Sequence, residues 1–195
     1  MMRILKTVLA GRLSAWSLAA AAQWELDNDR SEVNFISVKN SAIAESHTFT
    51  SLVGFIGADG KVQLGIDLDS VETLIPIRNE RMRELLFETT RFPAANINAQ
   101  VEPAILQAAA EGGVVTTDIE VALALHDKQI DLTVPVVVVG EEGGQLRVLS
   151  ARPVIVNAGD FDLDKGVSAL REIAGLTSIS TAVPVSLHLV FTPAE

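Results

Sequence analysis

The sequence predicts an all-β domain of eight antiparallel strands accompanied by two short helices. Apolar and polar residues alternate along most of the chain, as they do in strands with one buried and one solvated face. Turn signals separate these alternating runs, and two other segments carry apolar residues at helical spacing. Eight antiparallel strands with one apolar face close into an up-and-down barrel or pack as a sandwich.

The strand pattern is clearest between residues 130 and 138. Ile130, Leu132 and Val134 fall on one face there, and Asp131 and Thr133 fall on the other. The same reasoning, applied along the chain, predicts strands at 31–38, 47–56, 62–69, 95–102, 115–125, 130–139, 146–157 and 182–192.

Two segments break the alternation and predict helices. Residues 78–87 are rich in helix formers, and in residues 164–174 apolar side chains recur every third position before Gly175 ends the run. A shorter helical turn is expected at 104–111, and hairpin turns are expected at 58–60, 126–128 and 141–144.

Composition excludes several classes of protein. The chain has 195 residues, 48% of them apolar, which suits one domain with its own core and argues against disorder. It contains no Cys, so disulfides, thiolate metal sites and a cysteine nucleophile are excluded. The net charge of −10 argues against nucleic acid as a partner and against electrostatic docking on anionic lipid.

Residues 1–22 read as a secretory signal peptide, which leaves 23–195 as the mature domain. Basic residues come first, then a short apolar run too short to span a bilayer, then a small-residue exit at 19–22. Removing this segment takes away Arg3, Lys6 and Arg12 and no acidic residue, so the net charge falls to −13. The alternative is a short N-terminal helix of a cytosolic protein.

The mature chain resembles the YceI-like family along most of its length and in the same order. The strongest block runs from Ser70 to Pro93. The matching positions are segments 24–27, 31–35, 66–73, 123–126 and 160–161 together with Phe49, Leu52, Gly54, Arg78, Met82, Leu86, Phe87, Phe92 and Pro93. The resemblance implies a lipocalin-like antiparallel barrel exported to the periplasm, with a long apolar pocket for polyisoprenoid lipids, including molecules of the isoprenoid-quinone type.

A site for an isoprenoid tail requires a dry apolar tube with polar groups only at its mouth. Phe87 and Phe92 are expected to form walls near one end of that tube. The remaining predicted lipid contacts are the inward positions of the strands: Val33, Phe35, Phe49, Ile66, Leu68, Ile97, Leu123, Leu132, Val134, Val185 and Leu187. The alternative is that these side chains meet in the middle and fill the barrel, because an eight-stranded interior is just wide enough for that.

Arg78, at the start of the first predicted helix, is the residue expected to contact a lipid headgroup. A guanidinium beside the pocket could hold a carbonyl or hydroxyl oxygen. The alternative is an ion pair with Asp67, Asp69 or Glu80 that pins the helix to the barrel.

The sequence contains no pattern that indicates catalysis, a cofactor or a metal. His47, His126 and His188 lie far apart, and residues 160–166 do not match a calcium loop because glycine comes one position late. Residues 160–164 are better interpreted as a strand, with Phe161 and Leu163 pointing inward and the three Asp pointing outward. Nucleophile-elbow, phosphate-loop and dinucleotide motifs are missing. We therefore expect a non-enzymatic carrier or store of a hydrophobic small molecule. A filled-barrel structural or stress protein of the cell envelope is the alternative, and the oligomeric state, a homodimer included, is left open.

Overall fold

The computed structural model describes residues 22–194, and its twelve strands form one antiparallel sheet. The predicted signal peptide, apart from Ala22, lies outside the described residues. The strands are β1 (Ala22–Leu26), β2 (Glu32–Lys39), β3 (Ile43–Phe49), β4 (Leu52–Gly57), β5 (Lys61–Asp67), β6 (Val71–Glu72), β7 (Ala94–Gln100), β8 (Val114–Leu125), β9 (Lys128–Gly140), β10 (Leu146–Ser150), β11 (Val154–Asn157) and β12 (Ala182–Pro193).

The twelve segments make a closed up-and-down barrel of eight strands, as predicted. β1 and β2 form one interrupted barrel strand because both lie beside β12, and the same holds for β10 and β11. β3 and β4 form the next interrupted strand because they lie beside β2 and β1, and β6 and β5 form another because they lie beside β3 and β4. The barrel closes where β12 pairs with β1, in a register that sets Trp24 opposite Pro193 and Leu26 opposite Phe191. Closure leaves no sheet edge along this seam.

Helices occupy both ends of the barrel. α1 (Pro76–Arg81) begins with proline at its first position and continues without a break into one turn of π-helix, Met82–Phe87. α2 (Pro103–Ala110) follows β7, and α3 (Asp164–Ile173) follows a 3-10 turn at Ala158–Phe161. β7 begins shortly after the π-helical turn and ends just before α2, so these two helical elements lie at opposite ends of the barrel.

The structure corrects three details of the predicted strands. β1 was not expected, although Trp24 is buried and pairs with Ile56 of β4. The predicted strand at 146–157 is interrupted at residues 151–153, where Pro153 has no N–H for the ladder. Residues 160–164 were expected to be a strand and instead lie in the 3-10 turn and the start of α3, although Phe161 is buried as expected.

The half of the barrel next to α2 is filled by its own side chains. Val138, Leu146 and Phe191 are each at most 2% exposed, and Ala109 of α2 is fully buried. α2 lies so close to β9 that a Cβ atom on Gly140 would be 1.6 Å from the carbonyl oxygen of Ala109. Only glycine fits there, and its absent side chain lets the helix backbone rest directly on the strand.

Candidate ligand-binding site

The other half of the barrel contains a cavity of about 180 Å³, which we call the inner cavity. It lies beneath the π-helical turn and α3, and every residue that lines it is hydrophobic. The lining residues are Val33, Phe35, Phe49, Leu64, Ile66, Leu68, Leu86, Phe87, Ala95, Ile97, Leu123, Leu125, Val156, Ala158, Leu163, Val167, Val183, Val185 and Leu187. A site of this kind accepts an apolar group and offers a polar one no compensation for lost hydration.

Three aromatic rings form one wall of the inner cavity. The ring centroids of Phe35 and Phe49 are 5.3 Å apart, and those of Phe49 and Phe87 are 5.9 Å apart. Phe35 and Phe49 come from the paired strands β2 and β3, whereas Phe87 comes from the π-helical turn. Tilted rings at these distances attract one another, so the wall is a preformed apolar surface.

Ten of the thirteen predicted lipid-contact positions line the inner cavity, and Phe92, Leu132 and Val134 do not. Glu88 adopts a left-handed conformation that ends the π-helical turn, and Phe92 lies instead against His126, with ring centroids 4.2 Å apart. Val134 is a member of the hydrophobic core and Leu132 packs against it. Alternation along β9 identifies the inward face but does not indicate how far the cavity extends.

Sequence reasoning missed nine lining residues, some of which carried a usable signal. Leu64 shares a strand face with Ile66, and Val183 shares one with Val185. Leu86 and Val167 belong to the helical elements, whose approach to the barrel depends on packing between distant segments.

A second compartment of about 350 Å³, which we call the mouth pocket, lies between α1, α3 and strands β2 and β3. It shares the residues Phe35, Leu86, Val167 and Val183 with the inner cavity, so these four lie between the two spaces, and we call them the neck. The remaining lining residues are Ser37, Lys39, Glu45, His47, Ile75, Ile77, Arg78, Arg81, Met82, Leu170, Ile173, Ala174, Leu176, Ile179 and Ser180. The two compartments have volumes typical of parts of a small-molecule site, with polar groups only in the outer one.

Arg78 lines the mouth pocket, but its ion pair is not one of those expected. Its guanidinium donates to Glu45 on β3 at 2.9 Å and to the carbonyl oxygen of Thr73 at 2.6 Å. Asp69 accepts a hydrogen bond from Thr89, and Asp67 accepts one from the backbone N–H of Asp69. Arg78 therefore pins α1 to the second barrel strand, because Glu45 comes from β3.

Glu45 is held by two cations at once. Lys39 lies 2.6 Å from the same carboxylate oxygen that Arg78 contacts. The hydrogen bond from Lys39, opposed by some desolvation and assisted by the charge of Arg78, lowers the pKa of Glu45 below its ordinary value. Glu45 is therefore ionised at neutral pH and forms ion pairs with two of the cationic side chains that line the pocket.

His47 is buried beside this ion pair, with 4% of its surface exposed. Its Nε2 atom lies 2.8 Å from the Ser37 hydroxyl, and its ring lies against Phe35, with centroids 5.1 Å apart. Burial, and secondarily the charge of Arg78, lowers the pKa of His47, so the ring is neutral at neutral pH. Among the described residues, neither Nδ1 of His47 nor Nε of Arg78 has a hydrogen-bond partner.

The other two histidines lie far from the mouth pocket. His126 is in the β8–β9 hairpin and its Nδ1 atom is 3.2 Å from the carbonyl oxygen of Phe161, whereas His188 contacts Arg147. Within residues 22–194, no three or more His, Asp and Glu side chains are grouped so that they could hold a metal ion. In the same part of the chain, no helix has the length and apolar character needed to cross a membrane.

Comparison with known families agrees with this architecture. The family model described as a YceI-like domain matches residues 24–191. The chain belongs to the YceI-like family. This YceI-like protein is similar to a solved polyisoprenoid-binding domain from Saccharophagus degradans, described as implicated in plant cell wall breakdown, with 34% identity and a TM-score of 0.86. The similarity covers 89% of this chain and all of that domain.

Two more distant structures share the fold of this YceI-like protein. BcnA of Burkholderia cenocepacia has 16% identity and a TM-score of 0.66 over 85% of this chain and 98% of its own. The YCEI protein of Campylobacter jejuni has 12% identity and a TM-score of 0.52 over 76% of this chain and 84% of its own. A comparison with curated protein sequences gives no match.

Proposed function

We propose that this protein binds a polyisoprenoid or isoprenoid-quinone-type lipid, with the tail in the inner cavity and the headgroup in the mouth pocket. The observation that carries the proposal is the wholly apolar lining of a cavity that shares four lining residues with the partly polar mouth pocket. The polyisoprenoid-binding neighbour from Saccharophagus degradans supports the choice of ligand class.

Binding of this kind depends on the tail. A branched hydrocarbon chain offers no hydrogen bonds, and each buried methylene contributes about 0.8 kcal/mol. The cavity is already formed, so the protein loses little conformational freedom when it takes up the tail. The filled half next to α2 limits how deeply the tail can enter.

The arrangement supports a carrier or store, because the protein shields the tail from water without transforming it. Arg78 is the proposed headgroup contact, since it lines the mouth pocket and is held in a fixed position by Glu45 and Thr73. The two Nη atoms carry four N–H groups and these contacts use two of them, so the guanidinium can donate to an oxygen of the headgroup without releasing Glu45.

Lipid extraction from natively expressed protein, followed by mass spectrometry, tests the proposal. We expect a stoichiometric isoprenoid lipid from the unaltered protein and a strongly reduced yield from Ala95→Leu, which places a larger side chain in the inner cavity. Ala122→Leu is the matched control, because Ala122 lies on β8 next to the inward-facing Leu123 and outside the cavity lining. Repeated recovery of no lipid from folded protein would favour the filled-barrel alternative.

We also propose export to the periplasm after removal of residues 1–22. The basic start, short apolar run and small-residue exit of that segment support the proposal. N-terminal sequencing of the protein from a fractionated cell checks it: Gln23 is the expected first residue, and an intact Met1 in the cytosolic fraction would contradict it.

A further inference from the structure

Exposed aliphatic side chains are concentrated at the end of the barrel where the mouth pocket opens. Within residues 22–194, five of the ten large hydrophobic side chains that are exposed surround this pocket. Ile75, Ile77 and Ile173 line the pocket and are between 42% and 51% exposed. Leu74 precedes Ile75 and is 87% exposed, and Ile43 is paired with a residue of β2 that also lines the pocket. We call these five residues the apolar rim.

The most exposed residue of the apolar rim, Leu74, is presented to solvent by a turn that its neighbours hold in place. Its φ angle is +62°, in the left-handed region that aliphatic residues rarely adopt. Its N–H donates to the carboxylate of Glu72, and the side-chain oxygen of buried Asn79 accepts hydrogen bonds from the N–H and the hydroxyl of Thr73. These contacts maintain an unfavourable backbone conformation that projects an apolar side chain into water, and such conformations persist mainly at functional positions.

The end of the barrel that carries the apolar rim has no net charge, whereas the rest of the protein is strongly acidic. All lining residues of the mouth pocket fall within residues 35–47, 71–87 and 164–183, which contain six basic and six acidic side chains. The remainder of residues 22–194 contains six basic and eighteen acidic side chains, a net charge of −12. A surface that carries anionic lipid repels this remainder and leaves the mouth end free to approach.

We infer that the apolar rim is a docking surface for a lipid bilayer, on which the protein rests with its mouth pocket facing the acyl chains. Exposed apolar patches of this kind mark interaction sites, and aliphatic side chains readily enter the boundary between headgroups and acyl chains. Five side chains are far fewer than the roughly 20–30 residues that each partner contributes to a stable protein interface, so a second protein is the less suitable occupant.

Docking in this orientation has a direct use for a protein that binds an isoprenoid tail. Transfer of such a tail through water exposes its whole apolar surface, which is strongly unfavourable. A mouth in contact with the bilayer lets the tail move between the acyl chains and the inner cavity without that exposure. The inference rests on the proposed function for this use, although the contact with the bilayer is measured separately.

Flotation with phosphatidylcholine vesicles tests the inference. We expect the unaltered protein to float with the vesicles and the double variant Ile43→Asn/Leu74→Asn to bind them about tenfold more weakly, because two aliphatic side chains no longer enter the bilayer. Asn tolerates the left-handed backbone at position 74, so the fold should be retained. The matched control is Val53→Asn/Val114→Asn, which removes two aliphatic side chains that are 55% and 67% exposed and lie outside the rim. This control should bind vesicles like the unaltered protein.

A tryptophan probe tests the orientation of the docked protein. The emission of Leu74→Trp should be quenched by brominated phosphatidylcholine in the vesicles. Val114→Trp should not be quenched, because Val114 is at the end of β8 near α2, opposite the mouth. Trp24 is buried and contributes the same background to both variants. Equal quenching of the two variants would contradict docking through the mouth.

Farnesol binding, measured by isothermal titration calorimetry, separates the inference from the proposed function. Both double variants should bind farnesol like the unaltered protein, because none of the four positions lines either compartment. Absence of vesicle binding, or equal vesicle binding by the two double variants, overturns the docking surface and leaves lipid binding in place. A dimer that Ile43→Asn/Leu74→Asn dissociates, with no change in vesicle binding, would assign the rim to a second copy and also overturn the inference. Failure of the folded, unaltered protein to bind farnesol overturns the proposed function itself.

Discussion

The two halves of this barrel are built from the same alternating strands, but one half is filled by side chains and the other encloses a cavity. Next to α2, large side chains from several strands meet in the middle, and Leu146 and Phe191 are almost entirely buried. Beneath the π-helical turn and α3, the inward side chains stop short and leave the inner cavity. Strand alternation therefore determines which side chains point inward, and their size together with the capping helix determines whether space remains.

The capping helices account for much of the difference. α2 inserts Leu106 and Ala109 into the core and contacts β9 through Gly140. α3 instead contacts the π-helical turn through Gly166, where a Cβ atom would lie 2.5 Å from the carbonyl oxygen of Leu85. α2 therefore packs onto the barrel wall, whereas α3 packs onto the π-helical turn, which lies above the inner cavity.

The largest expected contrast comes from removing one phenylalanine from each half. Phe191→Ala should lower the free energy of unfolding by about 3–5 kcal/mol, since it opens a void in tightly packed surroundings. Phe49→Ala should cost less, because Phe49 already borders the inner cavity and has fewer close neighbours on that side. Urea unfolding of both variants measures the difference, and an equal loss would contradict the division into a filled half and an open one.

Two glycines allow the same contrast to be drawn for the helices. Gly140→Ala and Gly166→Ala should each cost about 1–3 kcal/mol, because each forces a helix away from its support. Farnesol affinity should fall in Gly166→Ala, where α3 and the neck move together, and stay unchanged in Gly140→Ala. Calorimetric titration of both proteins checks this, and loss of binding in both variants would mean that the helices are not independent.

Closing the neck should impair binding with little effect on the fold. Val167→Phe places a ring where the mouth pocket meets the inner cavity, and we expect at least a tenfold weaker affinity for farnesol. Ser168→Phe adds the same ring to the exposed side of α3 and is the matched control. Similar affinity for both variants would show that ligand does not pass through this neck.

Acid should act on the open half first. The lowered pKa of His47 means that the unfolded chain takes up a proton at about pH 6.5 while the folded chain does not. The contribution of the neutral His47 to the free energy of unfolding is therefore fully present above that pH, and it is lost as the pH falls through the folded pKa. His47→Gln should remove this loss. The loss at more acidic pH should remain, because it comes from carboxyl groups with lowered pKa values, among them Glu45, Glu72 and Glu141. Urea unfolding between pH 7 and pH 4 compares the two proteins.

Local pattern was sufficient to predict most of the barrel and of its inward face, including Phe35, Ile66 and Val185. It was not sufficient where contacts between distant segments of the chain determine the partner or the burial of a side chain. Arg78 pairs with Glu45, which lies 33 positions earlier in the chain, and no local rule selects that carboxylate over Asp69. The burial of His47 likewise depends on the way α1 covers β3, so the sequence showed a histidine without showing its environment.

The seam between β1 and β12 determines when the cavity can exist. Trp24 and Pro193 are neighbours there although nearly the whole chain separates them, and Val183, Val185 and Leu187 of this last strand line the inner cavity. Contacts between such distant positions form slowly during folding, because the long intervening loop must close first. The inner cavity can therefore form only after the final strand has docked, and a chain truncated before residue 182 would lack one wall of it.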